Sequence, residues 1–366
     1  LRRLKTILAL LLLAVGVLSQ SAQTVTQVVT TNSVVRVMAA NLNGNTQSYQ
    51  PFALRILKGL KPDVVAINEF NYGNNSATDL RFMVTNTLGT GFTYSREAGG
   101  GIPNGILSRW PIVASGEWDD PTLSDRDFAW ARIDIPGPDD LYVVSVHLKA
   151  SGGSESQRNQ QAQQLRTRIQ SDFPAGAYVI VAGDFNLQSR SASSEPALAV
   201  FGSFLRDTPV PTDQQGDPDT NNGRNKPYDV IVQSPSLTTN GVPVRIGTQS
   251  FANGLVFDSR VFTPLSAVAP VLQADSGEAQ HMAVLKDYRI QYSVTNRFVV
   301  EPPRVSRVAN QLRWSSVPGL AWRVEGTRDL SRWIPWTTNS AATTERSEIL
   351  PTPGPDTWFL RVVFQP

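Results

Sequence analysis

Apolar and polar positions along this chain fall into short blocks with two different periods, and the blocks alternate. Val34–Ala40 is an apolar, β-branched run that reads as a strand. Ala53, Ile56, Leu57 and Leu60 then recur at i, i+3, i+4 and i+7, the core-facing stripe of a helix, and Pro62 stops it. Asp63–Ile67 is a short buried strand, and Leu141–Val146 and Tyr178–Ala182 are two more. Between those two, Ala162, Leu165, Ile169 and Phe173 share one helical face. Val230–Val232 and Met282–Leu285 read as further short strands, and residues 24–33 as a lead-in. Strands interleaved with helices predict an α/β fold.

Stretches rich in Gly, Pro, Asn and Asp interrupt the pattern at Gly99–Gly105, Ser151–Glu155 and Thr212–Pro227. Such segments run over the surface and often flank binding sites. Near residue 291 the pattern changes. Pro302 and Pro303 sit in a polar connector, and Trp314, Trp322, Trp333, Trp336 and Trp358 follow. Trp322-Arg323-Val324-Glu325 alternates as a strand does, and Val317-Pro318-Gly319 reads as a turn. The expected organisation is a catalytic domain over 34–291, a linker over 292–303 and a small all-β domain over 304–366. The tail resembles the Trp-rich β modules that end secreted bacterial enzymes. Its aromatics read as core rather than as a ligand platform, although a tether to glycan or cell surface is a further reading of this tail.

The N-terminus reads as an export signal over residues 1–23. Arg2, Arg3 and Lys5 precede an apolar run from Ile7 to Leu18, and Ser19, Ser21 and Ala22 offer a cleavage region. The run is shorter than the roughly 20 residues a bilayer requires. A secreted or periplasmic protein is therefore expected.

Composition narrows the chemistry. The 366 residues carry a formal net charge of +2, which does not announce a nucleic-acid binder by itself. The absence of cysteine excludes disulfides and thiolate metal sites, so any metal must be held by oxygen or imidazole. That favours hard cations, Mg2+ or else Mn2+ or Ca2+.

The most informative feature is where the polar residues stand. Asn41 ends Val34–Ala40, Glu69 follows Ile67 after one residue, His147 ends Leu141–Val146, and Asp184 follows Tyr178–Ala182 after Gly183. Asp229 opens Val230–Val232, and His281 opens Met282–Leu285. Polar groups placed at strand ends converge at one rim of a sheet, where rigid elements hold them. The chain has only two histidines, and both belong to this set. Asp184 and Asn186, two apart in an extended segment, should project to the same side.

Several of these blocks resemble a known family in their order. Val37-Met38-Ala39-Ala40-Asn41-Leu42-Asn43-Gly44, Ile67-Asn68-Glu69-Phe70, Val144-Ser145-Val146-His147-Leu148 and Gly183-Asp184-Phe185-Asn186 are similar to motifs of endonuclease/exonuclease/phosphatase proteins. Asn104–Ile112, Lys226–Ile231 and Ala279–Val284 look like the family's remaining signatures. The resemblance covers about 34–291. It implies a DNase I-like four-layer α/β sandwich, two packed sheets flanked by helices, and metal-assisted attack of water on phosphorus. Glu69 would be the main metal ligand, with Asn43 and Asn41 beside the cation. His147 and Asn186 would donate to phosphoryl oxygens, and Asp229 would hold His281. Either Asp184 or His281 would take the proton.

Two residues depart from the family pattern. Asn43 stands where Asp is frequent, and Gln280 where Asp is usual, with Asp275 and Glu278 nearby. Both changes remove a carboxylate and imply a weaker hold on the cation. Extracellular nucleic acid is the first substrate reading, with a phospholipid headgroup or sugar phosphate second. A non-catalytic phosphate-binding protein on the same fold is the third. Arg109, Arg126, Arg132, Arg158, Arg166 and Arg168 offer a basic surface, or else, for the last three, a solvated helix face.

Overall fold

The computed structural model describes residues 23–120, 122–300, 305–308, 311–316, 321–340, 345–349 and 359–365. The expected export signal lies outside them apart from its last residue. Thr30–Tyr292 form one compact unit and the described residues on either side belong to a second, so the strands Gln23–Ala40 and Ala283–Val300 each run from one unit into the other along the chain.

The larger unit opens with β1 (Gln23–Ala40), α1 (Pro51–Leu60), β2 (Val64–Ile67), α2 (Ala77–Leu88), β3 (Thr93–Arg96) and β4 (Gly105–Ser108). Next come β5 (Ile112–Trp118), β6 (Phe128–Ile133), β7 (Leu141–His147), α3 (Glu155–Asp172), β8 (Tyr178–Asp184), α4 (Pro196–Gly202) and β9 (Asp229–Gln233). The unit closes with α5 (Pro235–Thr238), β10 (Gly241–Val242), β11 (Val244–Ile246), β12 (Gln249–Phe251), β13 (Leu255–Phe257), α6 (Asp275–Glu278) and β14 (Ala283–Val300). The stretch read as a lead-in, 24–33, is already part of β1, and the stretch read as a linker continues β14 to Val300.

Two sheets carry the architecture. The first has the order β10-β14-β1-β2-β4-β3, with β13 also on β14, and the second runs β5-β6-β7-β8-β9. Strand alternation explains their stacking. Val35, Val37 and Ala39 of β1 pack with Val64 and Ala66 of β2 against Val143, Ile180, Ala182 and Ile231 of the other sheet. The alternate residues, Met38, Ala40, Val65 and Ile67, face Ala53, Ile56, Leu57 and Leu60 of α1 and Leu80 and Met83 of α2. Val144, Val146, Val179 and Val181 cover Ala162, Leu165 and Ile169 of α3 and Phe201 of α4. The layers are therefore helix, sheet, sheet, helix, as the resemblance implies, and both predicted helical stripes are buried.

Periodicity misreads one helix position. Arg158, expected on a solvated face or a basic surface, is fully buried on α3. Its guanidinium donates to both carboxylate oxygens of Glu195, at 3.0 and 2.8 Å, and to the carbonyls of Lys149 and Ser151.

The second unit contains β15 (Val305–Val308), β16 (Gln311–Ser315), β17 (Ala321–Thr327), β18 (Ile334–Ser340), β19 (Glu345–Ile349) and β20 (Phe359–Gln365). They form two three-stranded sheets, β15-β16-β19 and β18-β17-β20. Trp314 and Trp322 are buried. Trp358 and the Val317-Pro318-Gly319 turn fall outside the described residues. Among the described residues no helix is long and apolar enough to cross a membrane.

Candidate active site

The register of the second sheet places three polar residues in one row. β7 and β8 pair in parallel with His147 opposite Asp184, and β8 and β9 pair antiparallel with Asp184 opposite Asp229. In the first sheet β1 and β2 run parallel with Ala40 opposite Ile67, so the residues that follow each leave at the same edge. Ligands of open α/β sheets bind outside the carboxyl ends of parallel strands, and four such ends meet here.

The two rims interlock around Asp184. Its Oδ2 accepts from Asn41 Nδ2 at 3.2 Å and Asn186 Nδ2 at 3.1 Å. His147 Nε2 lies 3.2 Å from the same oxygen, and His281 Nε2 lies 3.8 Å from it. Asn41 Nδ2 also reaches Glu69 Oε1 at 3.4 Å, and Asn43 Nδ2 donates to the Glu69 carbonyl at 2.9 Å. His281 Nδ1 and Asp229 Oδ2 are 2.8 Å apart, and Tyr228 packs on the His281 ring. All eight residues singled out from the sequence are buried and gather here.

Asn186 arrives by a different route from the one expected. Its φ is +50°, so the segment is not extended. The left-handed turn folds Asn186 back, and its backbone N–H donates to Asp184 Oδ1 at 2.8 Å. Glu69 also has φ +50°. Non-glycine residues in this region cost about 1–3 kcal/mol each and persist where surrounding structure overdetermines them, commonly at functional sites.

Asn68 joins the two sheets beneath these groups. Its Oδ1 accepts the Asp184 N–H at 2.9 Å, and its Nδ2 donates to Asn104 Oδ1 at 2.6 Å and the Val146 carbonyl at 2.9 Å. Gly183 leaves room for this amide: with φ +134°, a Cβ there would meet the Val146 carbonyl and lie 2.8 Å from Asn68 Oδ1. Asn68 was not among the sequence candidates, though an Asn between an apolar run and a candidate Glu is a signal that could have found it. Arg126 was read as surface. It is buried, and it donates to the carbonyls of His147 and Leu148, fixing the end of β7.

Burial and charge oppose each other in this site. Burial pushes Asp184 up to about 6 against the pull of His281, and burial likewise raises Glu69. For His281 burial opposes the charge, but Asp229 and Asp184 outweigh it and raise the imidazole to about 9. Burial, with Arg126 and His281 nearby, holds His147 well below the usual imidazole range. A neutral His147 donates from Nε2 to Asp184, leaving Nδ1 without a hydrogen-bond partner. Three buried acidic groups, Glu69, Asp184 and Asp229, thus surround one cationic imidazole, so acidic side chains outnumber basic ones in the cluster.

That deficit of positive charge fits a divalent cation. Asn43 Oδ1 is buried without a partner beside the Glu69 carboxylate, so an amide oxygen and a carboxylate oxygen stand ready as hard ligands. Among the described residues no three His, Asp or Glu side chains form a closed metal cage. A cation that keeps most of its waters, as Mg2+ does, needs no such cage. Gln280 is exposed and donates to Asn45 Oδ1 at 3.0 Å. Asp275 does not replace its missing carboxylate, because Arg55 holds both Asp275 oxygens, and Glu278 is exposed.

A four-layer α/β sandwich with carboxylates, amides and imidazoles at its strand ends is the framework of a class of phosphoester hydrolases. The chain belongs to the endonuclease/exonuclease/phosphatase family, whose profile matches residues 38–256. An endonuclease/exonuclease/phosphatase from Beutenbergia cavernae has a similar fold, with TM-score 0.50 and 16% identity over 91% of this chain and 100% of that one. D. rerio TDP2 humanized by 14 mutations aligns at TM-score 0.47 and 17% identity, over 70% of this chain and 98% of that one. The human Nocturnin catalytic domain aligns at 0.46 and 16%, over 74% and 98% respectively. No curated protein matches the sequence. Enzymes of this family hydrolyse phosphoesters and generally use divalent metals.

Proposed function

We propose that this chain is an exported, divalent-metal-dependent phosphodiesterase or nuclease that acts on extracellular nucleic acid. The observation that carries the reading is the meeting of the two sheets at Asp184 Oδ2, where His147 from one side and Asn41 from the other converge, with Asn41 and Asn43 in turn bonded to Glu69 and Asp229 in register with Asp184. The apolar segment Ile7–Leu18 behind Arg2, Arg3 and Lys5 supports export.

Glu69 and Asn43 would hold the cation, with Asn41 orienting the Glu69 carboxylate. The bound cation would neutralise charge developing on the phosphoryl and leaving oxygens. Asp184, at about 6, suits proton uptake from the attacking water near neutral pH. His147, Asn41 and Asn186 keep its Oδ2 in position. His281, at about 9, is already protonated and serves as a cationic partner for the phosphoryl group rather than as a base. Asp229 supports that charge through Nδ1.

The test is hydrolysis of bis(p-nitrophenyl) phosphate by the purified mature protein with Mg2+. Activity abolished by EDTA and by Glu69→Ala supports the reading. Equal background from wild type and Glu69→Ala would favour a phosphate-binding protein without turnover. A parallel panel of DNA, RNA, phospholipid and phosphosugar separates the substrate classes, with the nucleic acids expected to turn over fastest.

A further inference from the structure

A second polar cluster lies away from the candidate active site, where β9 ends and β14 continues beyond His281. On β14 the face turned into the inter-sheet core runs Val284, Lys286, Tyr288, Ile290, and all but Lys286 belong to the apolar core. Lys286 is buried. Its Nζ donates to Gln233 Oε1 at 2.9 Å and weakly to the Asp207 carbonyl at 3.4 Å. Tyr288 Oη donates to the same Gln233 oxygen at 3.2 Å, and Gln233 Nε2 is tied to the Thr208 carbonyl at 3.0 Å. The amine thus has a neutral amide as its closest partner.

The amine also lines a cavity of about 90 Å³. Lys286, Gln233 and Tyr288 are its buried side, while Pro209, Ala252 and Asn253 are exposed at its rim. Three charged groups bear on the site. Asp207 favours the ammonium, Arg190 disfavours it, and Asp287 on the same strand is engaged through both oxygens by Arg36. Burial outweighs the rest and pushes Lys286 down to about 7. At pH 7 about half of such amines are neutral, against roughly one in 2,500 for an ordinary lysine. A desolvated neutral lysine is an activated nucleophile.

We propose that this cavity is a modification site at which Lys286 reacts reversibly with carbon dioxide to form a carbamate. The Nζ lone pair attacks the carbon of CO2, an N–C bond forms, and one C=O π pair moves onto oxygen. Nζ then releases one proton to solvent, leaving a carbamate anion with no change of oxidation state. CO2 is small and uncharged, which suits a small cavity that leads from an exposed rim to a buried amine. The carbamate keeps an N–H for Gln233 Oε1. It also replaces a positive group near Arg190 with a negative one, turning repulsion into attraction. The buried Nε–H of Arg190 finds no hydrogen-bond partner, so a donor is unspent there.

The test uses the intact wild-type protein in 13C-bicarbonate at pH 7.5, with carbamates trapped by O-alkylation and located by peptide mass spectrometry. The chain has six lysines, so each site can be followed separately. The expected result is trapped label on Lys286 at least tenfold above any other lysine, matched by a carbamate 13C resonance that Lys286→Arg removes. Gln233→Glu sets a carboxylate against the amine and should lower labelling at least tenfold while leaving the cavity walls in place. Absence of label at Lys286 in saturating CO2, or equal label on all lysines, overturns the proposal, as does labelling unchanged by Gln233→Glu.

Discussion

Replacing Asp229 with Asn tests the electrostatic design of the site directly. The substitution keeps shape but removes the charge 2.8 Å from His281 Nδ1. Asp229 is the largest influence raising the imidazole, and burial is the opposing one. With the charge gone, burial acts against Asp184, whose oxygen is 3.8 Å from Nε2, and the smaller pull of Glu69. We expect the His281 midpoint to fall from about 9 to below 7, a change of at least two units or about 3 kcal/mol. The sign follows from linkage. A histidine whose folded pKa exceeds its unfolded value of about 6.5 contributes stability that is complete below 6.5 and lost as pH rises through about 9. The wild type should therefore exceed Asp229→Asn in Tm most at pH 6, with the gap narrowing by pH 9–10. The direct assay is NMR titration of the imidazole protons in metal-free protein. Two histidines give two sets of signals, and the depressed midpoint of His147 keeps them apart. Hydrolysis at pH 8 should drop by about 10²-fold or more with the charge removed. A wild-type His281 titrating near 6.5, or a midpoint unmoved by the substitution, would refute the reasoning.

Three further outcomes are expected. Asn68→Ala removes the amide that joins the sheets and strands the Asp184 N–H, costing about 2–4 kcal/mol by chemical denaturation and lowering kcat more than it raises KM. Glu195→Ala leaves Arg158 charged and fully buried with only the partly exposed Glu155, 3.3 Å away, as a carboxylate partner, and should destabilise by about 3 kcal/mol with little change in the activity of the folded fraction. Gly183→Ala places a methyl group against the Val146 carbonyl and the Asn68 amide at a φ of +134°, and should lower both Tm and activity more than Gly176→Ala, where a Cβ meets nothing within 4 Å at a similarly left-handed φ.

The apolar stripes of α1 and α3 and the short runs of β2, β7, β8 and β9 were legible in the sequence. Burial of one face is a local property repeated at a known period. The placement of Glu69, His147, Asp184, Asp229 and His281 beside apolar runs was legible for the same reason, since a strand in a core ends where a polar residue can first leave it. Their gathering was not local information. It depends on the β7-β8-β9 register and on two sheets stacking through Val37, Ala39, Val143 and Ala182. Arg158, Lys286 and Asn68 show the limit most clearly. Each is polar and buried, and what makes burial tolerable for it is a partner 37, 53 or 116 residues away along the chain. The amino-acid pattern determined which surfaces must be hidden. Tertiary structure alone decided which polar groups are hidden with them, because desolvation is offset only by hydrogen bonds and charges that folding brings from distant parts of the chain.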